Sequence, residues 1–123
     1  MLFYENIIPP LPTLFINTID VGGGLFIQHG FSTIIVAQKL GKNCWINQQV
    51  TIVYSNDQKC PILCDNVTVG AGAKVLGGIT IVENSIIGAN AVVVKSVPPN
   101  STVVGVPAYI IKKNGISVKQ MLD

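Results

Sequence analysis

The chain has 123 residues, the size of one domain, with 49 % hydrophobic and only 11 % charged residues. That balance, with a mean hydropathy of +0.53, excludes a disordered, solvated chain. The net charge of +2 comes from eight lysines against six carboxylates, and with no arginine there is neither a guanidinium fork nor a dense basic stripe for a nucleic-acid partner. So few charges also leave a small domain with apolar surface to cover, which argues for an oligomer.

Taken in chain order, residues 1–18 read as an extended N-terminal segment. Met1 to Pro12 lacks a basic start and is broken by Pro9, Pro10 and Pro12, so no signal peptide is expected. Val21 to Gln38 is uncharged and long enough to span a bilayer. It holds Gly22-Gly23-Gly24, His29 and two glutamines, however, and β-type sequence rather than basic loops flanks it. No membrane segment is expected.

Residues 19–98 carry a repeat. Aliphatic residues fall at Leu63, Val69, Val75, Ile81, Ile87 and Val93, every sixth position. Chance gives such a run about once in a hundred over all frames. Small residues recur four places on at Ala73, Ser85 and Ala91. The spacing continues upstream through Ile34, Leu40, Ile46 and Ile52, and through Val21 and Ile27, with one extra residue before Ile34 and five before Leu63. A period of six fits neither a helix at about 3.6 nor a strand at about 2, and sandwich turns recur every ~8–12 residues. It fits a short strand, a turn, and a new strand on the next face, the hexapeptide β-helix. Three strands close a triangular coil, so about twelve hexapeptides predict an all-β fold of about four coils.

Three hexapeptides per coil align Ile27 with Ile46, Val69 and Ile87. Two places on, His29, Gln48, Ala71 and Ala89 line one edge of the prism, where small side chains leave a groove for a ligand. His29 is the only histidine. A lone histidine is often just a packed or solvated imidazole. This one sits in Gln28-His29-Gly30, at a break in the frame and over a column of small residues, which favours a functional group. An imidazole titrates near ~6.5 and takes a proton from a hydroxyl at neutral pH. It needs an acceptor to orient its other nitrogen, and the sequence does not identify one.

Tyr54 to Pro61 is polar and interrupts the repeat, which reads as a loop over 53–62 extruded from a corner of the prism. In a trimer that loop would reach a neighbouring subunit. Cys44, Cys60 and Cys64 are odd in number and lack a framework spacing, so reduced thiols in a cytoplasmic protein are expected, Cys44 packed and Cys60 exposed. Without a Cys-x-x-Cys pair, and with one histidine where a β-helical zinc carbonic anhydrase needs three, no metal site is expected. Residues 99–123 read as a capping strand and tail, with Ser117 and Gln120 placed like a capping box opening a short final helix.

The run Gly70-Ala-Gly-Ala-Lys74-Val-Leu-Gly77, then Ile87-Gly-Ala-Asn-Ala-Val92, Val97-Pro-Pro-Asn100 and Gly105-Val-Pro-Ala108, resembles the hexapeptide-repeat acyltransferases. Gly24-Leu-Phe-Ile-Gln-His-Gly30 through Ile46-Asn-Gln-Gln-Val-Thr-Ile52 is similar to the serine acetyltransferase branch. The resemblance covers about Val21 to Lys112. It implies a left-handed parallel β-helix, a homotrimer, and acetyl-CoA in a groove between two subunits. It makes His29 the general base and Ala71 and Ala89 the positions whose backbone meets the pantetheine arm. It brings Lys95 and Lys112 to the CoA phosphates, and Gln28, Lys59 and Cys60 to the acceptor.

Departures cluster on the acceptor side. The family carries Asp before the base, where this chain has Gln28, and Arg-His at the loop end, where it has Lys59-Cys60. The aspartate that orients the base falls near Leu14, and Tyr109 stands where related sugar acetyltransferases place Arg. The expected function is transfer of an acetyl group from acetyl-CoA to the hydroxyl of a small molecule, as in serine O-acetyltransferase. The rivals are sugar O-acetylation in surface-polysaccharide assembly and a trimeric β-helix without catalysis.

Overall fold

The computed structural model describes residues 13–123. The proline-broken stretch weighed against a signal peptide, residues 1–12, lies outside the described residues. The first coil holds β1 (Leu14–Ile16), β2 (Asp20–Val21) and β3 (Phe26–Ile27). The second holds β4 (Thr33–Ile35), β5 (Lys39–Leu40) and β6 (Trp45–Ile46), and the third β7 (Thr51–Val53), β8 (Ile62–Leu63) and β9 (Thr68–Val69). The fourth holds β10 (Lys74–Leu76), β11 (Thr80–Ile81) and β12 (Ile86–Ile87). The fifth holds β13 (Val92–Val93), a parallel bridge from Val97 to Ile81, and β14 (Ser101–Val104).

Strands pair only with their counterparts one coil away. β1-β4-β7-β10-β13 form the first face, β2-β5-β8-β11 the second, and β3-β6-β9-β12-β14 the third, each parallel. The result is a three-faced parallel β-helix of five coils, one more than the expected count. Ile16 aligned with Ile35, and Val97 and Val103 at the far end, complete the added coil.

The interior is one aliphatic column per face. Ile35, Ile52, Val75 and Val93 fill the first, Leu40, Leu63, Ile81 and Val97 the second, and Ile46, Val69, Ile87 and Val103 the third, all fully buried. Each such burial contributes about 1.5–3 kcal/mol. Ala73, Ser85 and Ala91 are buried as well, at turn positions that hold Val50 and Val67 in other coils. Ser85 Oγ donates to the Pro98 carbonyl at 2.9 Å and Ser101 Oγ to that of Pro99 at 3.0 Å. No buried side-chain nitrogen or oxygen among the described residues lacks a partner.

At the corner between the second and third faces, Asn43, Asn66, Asn84 and Asn100 all take left-handed backbone, which asparagine tolerates best after glycine. Their amides stack, Asn66 Nδ2 donating to Asn84 Oδ1 at 3.2 Å and Asn84 Nδ2 to Asn100 Oδ1 at 3.0 Å.

Two expectations are corrected. In β4 the inward residue is Ile35, and Ile34 is 41 % exposed. The frame therefore breaks by two residues after Ile27, with Phe31-Ser32 forming the wider turn, and the next step to Leu40 is one short. The final helix is replaced by strands: β15 (Tyr109–Lys113) runs antiparallel to β14, and β16 (Ile116–Met121) antiparallel to β15. The cause is Asn114-Gly115, with φ of 51° and 79°, the tightest hairpin turn available. It prevails over a capping box, and the hairpin covers the last parallel edge of the third face.

Candidate active site

His29 follows β3 at the corner between the third and first faces. Ile27 aligns with Ile46, Ile46 with Val69, and Val69 with Ile87. This register stacks His29, Gln48, Ala71 and Ala89 along one edge, and backbone bonds tie the turns together. The Gly72 N–H donates to the Gln48 carbonyl at 3.0 Å and the Asn90 N–H to that of Ala71 at 2.9 Å.

The first coil turns this corner differently from the others. After Gln48, Ala71 and Ala89 the left-handed residue is the next one, Gln49, Gly72 or Asn90. At Gly72 a Cβ would also collide with the Asn90 side-chain oxygen. In the first coil His29 itself is left-handed (φ 67°), followed by Gly30 (φ 59°). Such backbone costs a non-glycine residue about 1–2 kcal/mol. The exposed imidazole lies against Phe31, with ring centroids 6.5 Å apart and planes 29° apart, and its Nδ1 is 3.4 Å from Gln48 Oε1.

Beside it opens a hollow of about 640 Å³ lined by Phe26, Gln28, His29, Asn43, Cys44 and Trp45 among others. Trp45 Nε1–H donates to Gln28 Oε1 at 3.0 Å, and its indole meets Phe26 edge-on at 5.8 Å. Cys44 is buried as expected, its Sγ donating to the Cys64 carbonyl at 3.3 Å, and burial pushes its thiol up. It is therefore not a nucleophile. Burial, helped by Glu83 and Asp65, also raises the Cys64 thiol. Cys44, Cys60 and Cys64 are all free, Cys60 being half-buried rather than exposed. Among the described residues no group of three His, Cys, Asp or Glu could hold a metal, and no helix is long and apolar enough to cross a membrane.

The structure brings together Gln28, His29, Ala71 and Ala89 and separates the rest. Lys59 and Cys60 lie in the loop between β7 and β8, at the corner between the first and second faces. Asp57 pins that loop: Oδ1 accepts from the Lys59 N–H and Oδ2 from the Gly78 N–H, both at 3.1 Å. These two donors hold its carboxyl below the ordinary aspartate range. Lys95 shares this corner, its Nζ 3.5 Å from the Leu122 carbonyl, while Lys112 lies on β15 opposite Thr102. Both belong to the C-terminal end of the stack, yet Lys95 is not on the corner of Ala71 and Ala89.

Sequence reasoning missed the Gln48 contact, the Trp45–Gln28 lock and the Asp57 anchor. The last had a signal, since an aspartate two residues before the amide it accepts from is a common local turn.

Five coils with an inward aliphatic residue at most sixth positions define a hexapeptide-repeat β-helix protein. No protein-family model matches the chain. The serine acetyltransferase of Staphylococcus aureus is 42 % identical over 112 residues, covering 84 % of this chain and 50 % of that protein. A solved structure of the Brucella abortus serine acetyltransferase in complex with coenzyme A is 38 % identical, with a TM-score of 0.68 over 80 % of this chain and 41 % of that one. Soybean serine acetyltransferase complexed with serine is 32 % identical, with a TM-score of 0.75 over 80 % and 43 %. Within its class, the chain is a serine acetyltransferase-like hexapeptide-repeat protein. It spans about half the length of the curated relatives it matches.

Proposed function

We propose that the chain is an acetyl-CoA-dependent O-acetyltransferase acting on the hydroxyl of a small molecule, with L-serine the first acceptor to test. The observation that carries this reading is the His29 corner, an imidazole above a column of small residues, within a chain matched over 84 % of its length by a serine acetyltransferase. His29 takes the acceptor's hydroxyl proton as the oxygen attacks the thioester carbonyl, and returns it to the departing thiolate, which leaves as the thiol. A backbone N–H at the groove stabilises the charge that develops on the carbonyl oxygen. Ala71 and Ala89 leave the edge open for the pantetheine arm, and the phosphates meet Lys112 and, from the loop corner of a neighbouring copy, Lys95.

Within one chain the His29 corner and the Lys59-Cys60 loop stand on different corners of the prism. A homotrimer would bring the loop of one copy against the His29 corner of the next and complete the site. The reduced cysteines favour a cytoplasmic enzyme.

A second reading, a neutral sugar hydroxyl as acceptor, is favoured by the hollow's lining, where Gln28 stands locked by Trp45 and, among the described residues, no carboxylate is present to meet an ammonium group. Incubation with acetyl-CoA, a thiol dye and either L-serine or a panel of sugars separates the readings. Acceptor-dependent thiol release with serine supports the first, and release only with a sugar supports the second. Release with none contradicts both.

A further inference from the structure

We propose that the side-chain amide of Gln48 positions His29, its Oε1 accepting from Nδ1–H so that Nε2 is left as the nitrogen that takes the hydroxyl proton. The inference rests on the acyltransferase reading and names the group that orients its base. A neutral imidazole carries one N–H, and the partner of that N–H decides which nitrogen keeps a lone pair. Gln48 Oε1 lies 3.4 Å from Nδ1.

The obvious competitor, Gln28, is engaged elsewhere. Its Oε1 accepts from Trp45, and its backbone N–H donates to the Ile46 carbonyl at 2.9 Å. Among the described residues, none of the turns that build this corner in the first four coils, 28–32, 47–50, 70–73 and 88–91, holds an acidic residue. The strands β3, β4, β6, β7 and β9 beside the first three of these turns carry no charged residue either, while β10, after the third, begins with Lys74. The Lys74 ammonium is engaged with backbone, its Nζ donating to the carbonyls of Gln49 at 3.1 Å and Gly72 at 2.8 Å.

Gln48 is held well enough to act as a fixed partner. Its carbonyl accepts from the Gly72 N–H at 3.0 Å, and the Gln49 N–H donates to the Phe31 carbonyl at 2.9 Å. That second bond joins the turn of Gln48 to the wider turn of His29. Phe31 supports the imidazole on one face while Gln48 fixes its edge. An amide oxygen orients the ring without stabilising the imidazolium as a carboxylate would.

Because His29 is the only histidine, the nitrogen NMR signals of its imidazole read this residue alone. In the wild-type chain without donor or acceptor, neutral His29 carries its proton on Nδ1. Gln48→Met keeps the length and removes the acceptor, so the ring reverts to the Nε2–H form favoured in water. The same variant lowers kcat about 10- to 100-fold through misorientation, with KM for acetyl-CoA unchanged. Gln48→Glu restores most of the rate and moves the acid limb of the rate–pH profile to higher pH, since a carboxylate favours the imidazolium. A wild-type ring protonated on Nε2, or a Gln48→Met variant with unchanged tautomer and rate, overturns the proposal. A ring held as Nδ1–H in a chain that transfers no acetyl group supports the contact and overturns the acyltransferase reading.

Discussion

Lysines alone are available to meet the phosphates of a CoA donor, because the chain has no arginine. Lysine binds phosphate as a mobile point charge, without the guanidinium fork, so each contact is modest and sensitive to salt. Lys95→Ala combined with Lys112→Ala is expected to raise KM for acetyl-CoA several-fold at low ionic strength, less at high, and to leave kcat nearly intact. Steady-state kinetics at two salt concentrations checks this, and an unchanged KM at low salt would remove both lysines from the donor site. His29 was legible in the sequence because it is the sole histidine and stands where the frame breaks. Gln48 was legible only as a neighbour in the same column. Spacing places Cα atoms in register, whereas the reach of a long amide to Nδ1 depends on side-chain torsions that no repeat period encodes.

Among elements, β4 shows where periodicity stops being decisive. Ile34 and Ile35 are adjacent and equally apolar, so only the coil above, which pairs Ile35 with Ile52, selects the inward one. Ile35→Ala is expected to destabilise the fold by about 2–5 kcal/mol and Ile34→Ala by less than about 1 kcal/mol, as denaturant unfolding would measure. Equal losses would contradict the register. The C-terminal hairpin makes a similar point, since Asn114-Gly115 and Ser117 with Gln120 are both valid local signals. Only the open edge of β14 decides between them.

The loop between β7 and β8 carries its own pH test. Donation from Lys59 and Gly78 lowers the Asp57 carboxyl below its ordinary value of 3.8. A depressed pKa means the anchor contributes fully above the unfolded value and is lost only as pH falls through the lower, folded one. The amide signals of Lys59 and Gly78 should therefore titrate with a midpoint below 3.8. A midpoint at or above that value would mean the carboxylate is not held by these donors.

At the scale of the whole molecule, the single chain leaves apolar side chains on both faces beside His29. Phe15 and Phe26 are each 55 % exposed, and Trp45, Phe31 and Ile34 are between 41 % and 45 %. Exposed apolar patches of this kind mark interaction surfaces, and the proposed homotrimer would cover this one while bringing the loop of one copy to the histidine corner of the next. Light scattering across micromolar concentrations is expected to give three times 13.1 kDa, and a monomer mass throughout would contradict the shared site.

The central claim is that His29 performs acyl transfer from acetyl-CoA, and His29→Asn tests it most directly because asparagine tolerates the left-handed backbone that His29 adopts. Thiol release from acetyl-CoA in the presence of the acceptor should fall by a factor on the order of 10²–10⁴, while calorimetry shows CoA bound as tightly as by the wild-type chain. Full acceptor-dependent release by the asparagine variant would contradict the account.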